Sequence, residues 1–316
     1  MTISKEAIVA AHQRIAPFIH RTPVLTCSTI NSFAGCEFYF KCENLQKIGA
    51  FKIRGGMNAA LQIPESDRKN GLATHSSGNH AQAVAFAARM LGVPAYIVMP
   101  ETSPKVKVEA VKGYGAEVHF CAPNQQARES LLNEIVEKTG AYFIHPYDNY
   151  EVITGQATAA KELIEDSPDL DFILAPVGGG GLLSGTLLSA HYFSPKTAVY
   201  AGEPEGAADA ILSVKSGKIE KAPYINTIAD GLLTSLGERN LPIIREFVKE
   251  ILLVSEDEIK AALRIVYERM KIIVEPSCVV PLAAVLRNRS LFEHKKVGIV
   301  FSGGNVDVTK ISSWFV

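Results

Sequence analysis

The sequence has no excess charge of either sign. Its 32 basic residues against 33 acidic ones leave a formal net charge of -1, and no block of lysine or arginine stands out along the chain. Proteins that bind nucleic acid or anionic membranes usually carry such basic patches. The balance argues against both partners and favours a small-molecule ligand.

The cysteines also lack a pattern. The chain has five, an odd number, and none falls in a Cys-x-x-Cys pair. They are Cys27, Cys36, Cys42, Cys121 and Cys278. This argues against a disulfide framework and a zinc knuckle and indicates reduced thiols in a cytoplasmic protein.

Long apolar runs are missing too, so no membrane span is expected. The N-terminus predicts an amphipathic helix within residues 1–18, without the apolar core and cleavage site of a secretion signal. No internal repeat or low-complexity tract is present. The chain is therefore expected to fold as an ordinary globular protein.

What the chain does have is regular alternation. From residue 37 onward, short β-branched or aromatic runs alternate with longer helical periodicities, which is typical of parallel sheets flanked by helices. We therefore predict an α/β fold. Strands are predicted at residues 37–42, 72–75, 95–99, 117–121, 142–145, 172–177, 198–201, 251–254 and 297–301.

Four consecutive predicted strands, between residues 72 and 145, have connections of βαβ length and can form a compact unit. We predict a small domain over residues 54–147. Residues 1–53 and 148–316 would then form a larger domain. The active site is expected in the cleft between the two.

Lys52 stands between Phe51 and Ile53 at the start of a predicted helix. An ammonium group in apolar surroundings loses hydration, so its pKa falls and its neutral amine can act as a nucleophile, a base or a Schiff-base nitrogen. The alternative is a lysine whose stem packs while its head reaches water. This segment alone leaves both interpretations open.

Two polar loops each follow a predicted strand and precede a helix. The 76–80 loop, Ser-Ser-Gly-Asn-His, offers free backbone N–H groups and short polar side chains, which suit a carboxylate or phosphate at a helix N-terminus. A plain cap and turn is the alternative. The 302–305 loop, Ser-Gly-Gly-Asn, would lie at the C-terminal edge of the sheet, where open α/β folds bind ligands.

A run of glycines gives a sharper signal. Gly178, Gly179, Gly180 and Gly181 follow a buried-looking strand and open a helix, so the backbone can wrap closely around an anion such as phosphate. The alternative is a dinucleotide fingerprint, with Glu203 as the ribose-binding acid about twenty residues on. Against it, the third glycine of that fingerprint is missing in either register, and no Walker lysine follows.

Together, Lys52 in Phe-Lys-Ile-Arg-Gly, the 76–80 loop, the glycine run and the 302–305 loop resemble the fold-type II pyridoxal-phosphate enzymes, specifically the serine/threonine dehydratase and serine racemase family. The order and spacing match over essentially the whole chain. The resemblance implies a two-lobed fold like that of the tryptophan synthase β subunit, with parallel-rich twisted sheets. It also implies pyridoxal 5'-phosphate as cofactor and a homodimer.

The resemblance also assigns cofactor contacts. Lys52 is similar to the lysine that forms the internal aldimine and later moves the α-proton, and Phe51 would flank the ring. Asn79 would hydrogen-bond the pyridine 3'-oxygen, and Ser302 would face the ring nitrogen. The phosphate would lie on the backbone amides of Gly178, Gly179, Gly180, Gly181 and Leu182.

For the substrate, the resemblance implies that Ser76, Ser77, Asn79 and His80 form the loop that receives the carboxylate. Arg128 matches an active-site arginine of the racemase branch and would reach a substrate carboxylate or a contact of the closed lobes. A solvated arginine on a helix face is the alternative.

Ser77 separates branches of the family. Many threonine dehydratases resemble Ser-Ala-Gly-Asn-His here, whereas serine racemases and threo-3-hydroxyaspartate dehydratases have serine, as in this chain. In the racemases that serine is the acid and base on the face opposite the lysine, so Lys52 and Ser77 are the candidate catalytic residues.

The expected function is a pyridoxal-phosphate-dependent ammonia-lyase that converts L-serine or L-threonine to 2-oxo acids and ammonia. Whether the same enzyme also racemises serine is left open by the sequence. The alternative is serine racemase or threo-3-hydroxyaspartate dehydratase as the main activity. A nucleotide-binding dehydrogenase remains as an alternative from another class.

A cation site is expected at Glu203, Ala207 and Asp209. Two carboxylates and a carbonyl at i, i+4 and i+6 offer hard oxygen ligands. The spacing resembles the divalent-cation site of the racemase branch, which implies Mg²⁺, or Ca²⁺ or Mn²⁺. Ordinary loop carboxylates are the alternative.

Two further expectations come from the resemblance. Gln82, Tyr114, Lys271 and Asn305 match positions that contact ATP in animal serine racemases, so a nucleotide effector is considered, although the same residues suit structural roles. The regulatory domain of biosynthetic threonine dehydratases is not expected after the 302–305 loop, and neither is feedback inhibition by isoleucine.

Overall fold

The computed structural model describes residues 3–103 and 105–315 and shows strands and helices in alternation. The strands are β1 (Val24–Leu25), β2 (Glu37–Cys42), β3 (Leu72–His75), β4 (Ala95–Pro100), β5 (Glu117–Cys121), β6 (Tyr142–Phe143), β7 (Phe172–Pro176), β8 (Ala198–Pro204), β9 (Glu250–Val254) and β10 (Lys296–Phe301). The helices are α1 (Lys5–Ile15), α2 (Ser28–Ala34), α3 (Lys52–Gln62), α4 (Glu65–Arg68), α5 (Asn79–Leu91), α6 (Lys105–Gly113), α7 (Gln125–Thr139), α8 (Tyr150–Asp166), α9 (Gly181–Phe193), α10 (Ala210–Ser216), α11 (Asn240–Phe247), α12 (Glu256–Ile265), α13 (Pro276–Arg287), α14 (Arg289–Phe292) and α15 (Val308–Ile311).

The strands form two sheets within the described residues. The first has the order β1-β2-β10-β7-β8-β9 and the second β5-β4-β3-β6. Only β1 and β2 pair antiparallel; the other neighbours in both sheets are parallel. Helices connect the parallel strands, as such crossovers require. The predicted α/β class with parallel-rich sheets is confirmed.

The predicted strands are all present, with ends that differ by three residues at most. The largest difference is at β8, which continues to Pro204 and so places Glu203 inside a strand. The short β1 was not predicted, because two residues are too few to show a periodicity. Its position is fixed instead by its hydrogen-bonded neighbour β2.

The predicted N-terminal helix is also present. It is α1, which Ser4 caps by accepting a hydrogen bond from the N–H of Ala7 at 3.2 Å. Met1 and Thr2, which the prediction included, lie outside the described residues. None of the helices in the described ranges is long and apolar enough to cross a bilayer.

The division into two domains stays a prediction. The strands of the second sheet fall between Leu72 and Phe143, and those of the first sheet come from both sides of that stretch. Helix α3, which begins at Lys52, packs against both α5 and α8. The lysine therefore lies at the start of a helix that packs against helices on both sides of the predicted boundary at residue 147.

A buried ion-pair network fixes helix α3. The guanidinium of Arg54 is fully buried, and its Nε lies 2.7 Å from Oε2 of Glu43 while its Nη2 lies 2.7 Å from Oε2 of Glu162. Lys41, on β2, also binds Glu162, with 2.6 Å between Nζ and Oε2. Because charges removed from water need close partners, the network holds α3 to β2 and α8.

Helices α3 and α8 also touch through their backbones. A Cβ added at Gly155 of α8 would lie 2.5 Å from the carbonyl oxygen of Arg54 and 2.7 Å from the Cα of Gly55. Real Cβ atoms essentially never approach so closely. Glycine at 155 is therefore required by the crossing of the two helices.

We expect Gly155→Ala to lower the free energy of unfolding by about 2 kcal/mol, because the new methyl group has to push the α3 backbone away. This loss outweighs the advantage of about 1 kcal/mol that alanine has over glycine in a helix. Urea unfolding followed by circular dichroism measures the change. The matched control is Gly113→Ala at the end of α6, where no atom lies within 4 Å of the new Cβ. Equal unfolding midpoints for the two variants would contradict the packing argument.

Candidate active site

A cavity of about 430 Å³ collects most of the residues that the sequence singled out. It is lined by loops that follow β3, β7 and β10, where the C-terminal ends of parallel strands expose their connections. The predicted site residues that line it are Phe51, Lys52, Ser76, Ser77, Asn79, His80, Arg128, Gly178, Gly179, Gly180, Gly181, Leu182 and Ser302. Their predicted roles remain predictions, but the structure brings these residues together.

Backbone hydrogen bonds place Lys52 beside the 302–305 loop. The N–H of Phe51 donates to the carbonyl of Ser302 at 3.0 Å, and the N–H of Gly304 donates to Gly49 at 2.9 Å. Just before this contact, Ile48 has a φ of 59°, a conformation that a β-branched residue rarely adopts. Such strain costs about 1–3 kcal/mol and persists only where the surroundings enforce it.

Burial lowers the pKa of Lys52 to about 8, and the carboxylate of Glu275 opposes this effect. The amine donates one hydrogen bond, to the carbonyl of Pro146 at 2.9 Å. No carboxylate lies within ion-pair distance of Lys52 in the described residues. The amine is therefore neutral in part near neutral pH, as a nucleophile or base requires.

The 76–80 loop leads into α5, whose N-terminus has no side-chain cap. Its first-turn N–H groups can therefore bind an anion. His80 does not contribute a positive charge to this loop. Its Nε2 lies 3.0 Å from the carbonyl of Ile144, so it is the donor there, and burial keeps the pKa of the imidazole well below its ordinary value. His80 can offer its backbone N–H to an anion, but not a positive side chain.

The glycine run is shaped by protein neighbours as well as by any ligand. A Cβ at Gly179 would lie 2.3 Å from Cγ of Tyr147, and one at Gly178 would lie 3.0 Å from the Cα of Leu232. Gly180 has a φ of +93° and is the last residue before α9. No side chain caps α9, so its N-terminus remains available to a phosphate group.

Glu203 is not available as the ribose-binding acid of a dinucleotide site. Glu203 is buried, and its two carboxylate oxygens accept hydrogen bonds from the N–H groups of Ala210 at 2.6 Å and Ile211 at 3.1 Å. A carboxylate that caps α10 in this way cannot also bind a ribose. Glu203 does not line the cavity either.

Arg128 projects from α7 into the cavity. No carboxylate of the described residues lies within ion-pair distance of it, and its Nε is buried without a hydrogen-bond partner. A guanidinium in this state suits an anionic group of a ligand.

The structure adds charged residues that sequence reasoning missed. Lys107 of α6 and Asp230 form an ion pair at the cavity, with 2.5 Å between Nζ and Oδ2. Glu275 also lines the cavity and accepts hydrogen bonds from Asn79. In the sequence, Glu275 stands before a proline and looks like the ordinary start of a helix. Lys107 has no distinguishing pattern.

The residues of the expected cation site lie outside the cavity. Burial raises the pKa of Glu203 to about 8 and that of Asp209 to about 7, and Asp209 also raises the pKa of Glu203. Oδ2 of Asp209 is buried without a hydrogen-bond partner. Among the described residues, no group of three His, Cys, Asp or Glu side chains could hold a metal. The unpaired Oδ2 of Asp209 is the oxygen that suits a cation, whereas both oxygens of Glu203 already accept backbone hydrogen bonds.

The four residues considered for a nucleotide also lie outside the cavity, and each has a structural contact or is buried. Gln82 is buried, Tyr114 packs edge-on against Phe86, and Lys271 donates to the carbonyl of Glu268. Asn305 donates to Ile48 and to Asn79. These contacts agree with the structural roles that were the alternative to nucleotide binding.

Comparisons with known proteins agree on one family. The model of a family described as pyridoxal-phosphate dependent enzyme matches residues 15–303. The chain is 50% identical to serine racemase from Dictyostelium discoideum, over 98% of this chain and 97% of that protein. It is 43% identical to beta-hydroxyaspartate dehydratase from Paracoccus denitrificans, over 97% of each. The solved structure of maize serine racemase superimposes with a TM-score of 0.96 at 41% identity, over 100% of this chain and 97% of that one.

We expect the amine of Lys52 to be half-deprotonated at about pH 8 in the ligand-free protein, against an ordinary lysine value of 10.5. Competitive acylation between about pH 6 and pH 11, read by mass spectrometry, measures this, with the exposed Lys218 as the reference site. Because Glu275 opposes the shift, Glu275→Gln should move the half-point lower still. A half-point near the ordinary lysine value would contradict burial as the cause.

Proposed function

The chain belongs to the pyridoxal-phosphate-dependent enzyme family, and on that premise we propose that it is a serine racemase that also dehydrates small β-hydroxy amino acids to 2-oxo acids and ammonia. The observation that carries the proposal is that Lys52 and Ser77, two groups able to move a proton, line one cavity. The relatives named above favour racemase or hydroxyaspartate dehydratase activity over the simple dehydratase that the sequence first suggested. L-Serine, L-threonine and threo-3-hydroxyaspartate remain the candidate substrates.

The residues present fit pyridoxal phosphate. The cavity offers a lysine of lowered pKa and the uncapped N-terminus of α9 at the glycine run. Phe51 and Asn79 would hold the ring, and Ser302 would face its nitrogen with a neutral hydroxyl. When bound, the cofactor supplies an electron sink for charge that develops at the substrate Cα.

The substrate would be held by its carboxylate. The N-terminus of α5 and the hydroxyls of Ser76 and Ser77 provide uncharged donors for it. Arg128, which has no ion-pair partner among the described residues, would take a second carboxylate in a substrate such as 3-hydroxyaspartate or a contact on closure of the site. On this proposal, one cavity would serve both serine and a dicarboxylic amino acid.

The proton at Cα would be exchanged from two sides. The partly neutral amine of Lys52 removes or returns it on one side, and the hydroxyl of Ser77 does so on the other. Elimination needs the lysine and a proton for the β-hydroxyl, which leaves as water, and hydrolysis of the enamine product then gives the 2-oxo acid and ammonia. The balance between racemisation and elimination therefore depends on Ser77.

The cation, the dimer and the cytoplasmic setting are parts of the same proposal. Glu203, the carbonyl of Ala207 and Asp209 would hold Mg²⁺, or Ca²⁺ or Mn²⁺, since carboxylates and carbonyls suit these ions. All five cysteines are free thiols, which is consistent with a reducing compartment. A homodimer and a nucleotide effector rest on the family resemblance alone.

We expect Ser77→Ala to lower D-serine formation from L-serine by about 100-fold or more, the usual scale of general acid–base catalysis. Pyruvate formation should fall by less than about tenfold, because Lys52 can remove the proton alone. Incubation of the holoenzyme with the three candidate substrates, with keto acids and both serine enantiomers resolved, measures this. The matched control is Ser103→Ala, which removes another hydroxyl that lines the cavity. Equal losses of both products in Ser77→Ala would contradict the assignment of Lys52 and Ser77 to opposite sides of the substrate Cα.

We expect Mg²⁺ to raise the melting temperature more at pH 8 than at pH 6. The carboxyls of Glu203 and Asp209 have pKa values raised to about 8 and about 7, and both must lose their protons before they bind a cation. Apparent affinity should thus rise with pH and level off above about pH 8. Differential scanning fluorimetry of chelator-treated protein measures the shift, and Asp209→Asn should abolish it. A shift that is unchanged by pH or by this variant would contradict the site.

A further inference from the structure

Glu275 is a buried carboxylate set beside the cofactor residues. It precedes α13 and is 3% exposed, and its N–H donates to the carbonyl of Gly303 at 3.0 Å. A Cβ at Gly303 would lie only 2.6 Å from Oε1 of Glu275, so the glycine leaves room for the carboxylate. The side chain is therefore held against the 302–305 loop and faces the cavity.

The carboxylate has no cationic partner within ion-pair distance among the described residues. Its hydrogen-bond donor is the amide of Asn79, whose Nδ2 lies 2.8 Å from Oε1 and 3.2 Å from Oε2. Burial raises the pKa of Glu275 to about 7, with a smaller push from Asp230. A buried carboxyl group without a counter-ion is costly, so stability alone does not account for it.

Asn305 fixes the other end of the same amide. Its Nδ2 donates to the carbonyl of Ile48 at 2.7 Å and to Oδ1 of Asn79 at 2.9 Å. The carbonyl of Ile48 can only accept, so the end of the Asn305 amide that faces it is the nitrogen. The oxygen of Asn79 must then face Asn305, and its nitrogen must face Glu275.

An amide nitrogen carries two N–H groups, and Glu275 engages one of them. We propose that Glu275 is a positioning residue, which holds the Asn79 amide so that its second N–H is presented to the 3'-oxygen of the cofactor ring. Without an acceptor at 275, Asn305 alone holds the Asn79 amide, so the direction of its second N–H is no longer fixed and its hydrogen bond to the ring oxygen weakens. The inference rests on the proposed function, because it concerns the cofactor of that same site.

The test compares Glu275→Leu with Glu275→Gln. Leucine removes the acceptor, whereas glutamine keeps an oxygen for Asn79 and removes only the charge. We expect Glu275→Leu to raise the Kd for pyridoxal phosphate about tenfold, the loss of about one hydrogen bond, and to change the visible absorption band of the bound cofactor. Glu275→Gln should restore the Kd to within about twofold of the wild type and restore the band.

Two other variants complete the design. Asn305→Ala frees the oxygen of Asn79 and should change the band in the same direction, which keeps the test valid if Glu275→Leu does not fold. Asp171→Asn removes a carboxylate that does not line the cavity and should leave the band unchanged. Melting temperatures are recorded for every variant.

The outcomes separate the two proposals. If the wild-type protein shows no visible band with pyridoxal phosphate, the proposed function fails. If the wild type binds and Glu275→Leu has the same Kd and band, this inference alone is overturned, even when the melting temperature falls. If Glu275→Gln loses as much as Glu275→Leu, the charge and not the acceptor matters, and the positioning role is equally overturned.

Discussion

The position of the candidate site depends on the buried guanidinium of Arg54. It binds the carboxylates of Glu43 and Glu162, which belong to the segment after β2 and to α8. Removing one member of such a network leaves an uncompensated charge in the interior, so the three elements cannot shift independently. Since Arg54 lies two residues beyond Lys52, the same contacts fix where the lysine amine can be.

Around that amine, the protein keeps most titratable groups neutral. Burial lowers the pKa of His145 to about 4 and holds that of His80 far below its ordinary value. Burial raises the pKa of Glu275 to about 7, which favours its uncharged form. The anionic groups of ligands are then left to helix N-termini and to Arg128, because Lys107 is already paired with Asp230. A site with few fixed charges also favours the deprotonated state of Lys52.

Sequence reasoning found what is local in the chain. The glycine run, the 76–80 loop and Ser302 could be predicted because each directly follows a strand whose pattern is clear. Glu275 could not, since its meaning comes from Asn79, which is 196 positions away. The ion pairs of Arg54 could not be predicted either, because Glu162 is 108 positions away and no spacing marks Glu43 as its partner. The roles of the site residues remain predictions that the experiments above address.

The contact between Gly179 and Tyr147 changes how the glycine run should be interpreted. The ring of Tyr147 occupies the space that any side chain at 179 would need, whether or not an anion is bound. The sizes of the residues at positions 179 and 147 are therefore coupled. A larger residue at 179 is tolerated only if the side chain at 147 becomes smaller. Glycine at 179 is thus required by the size of its neighbour as much as by a bound phosphate.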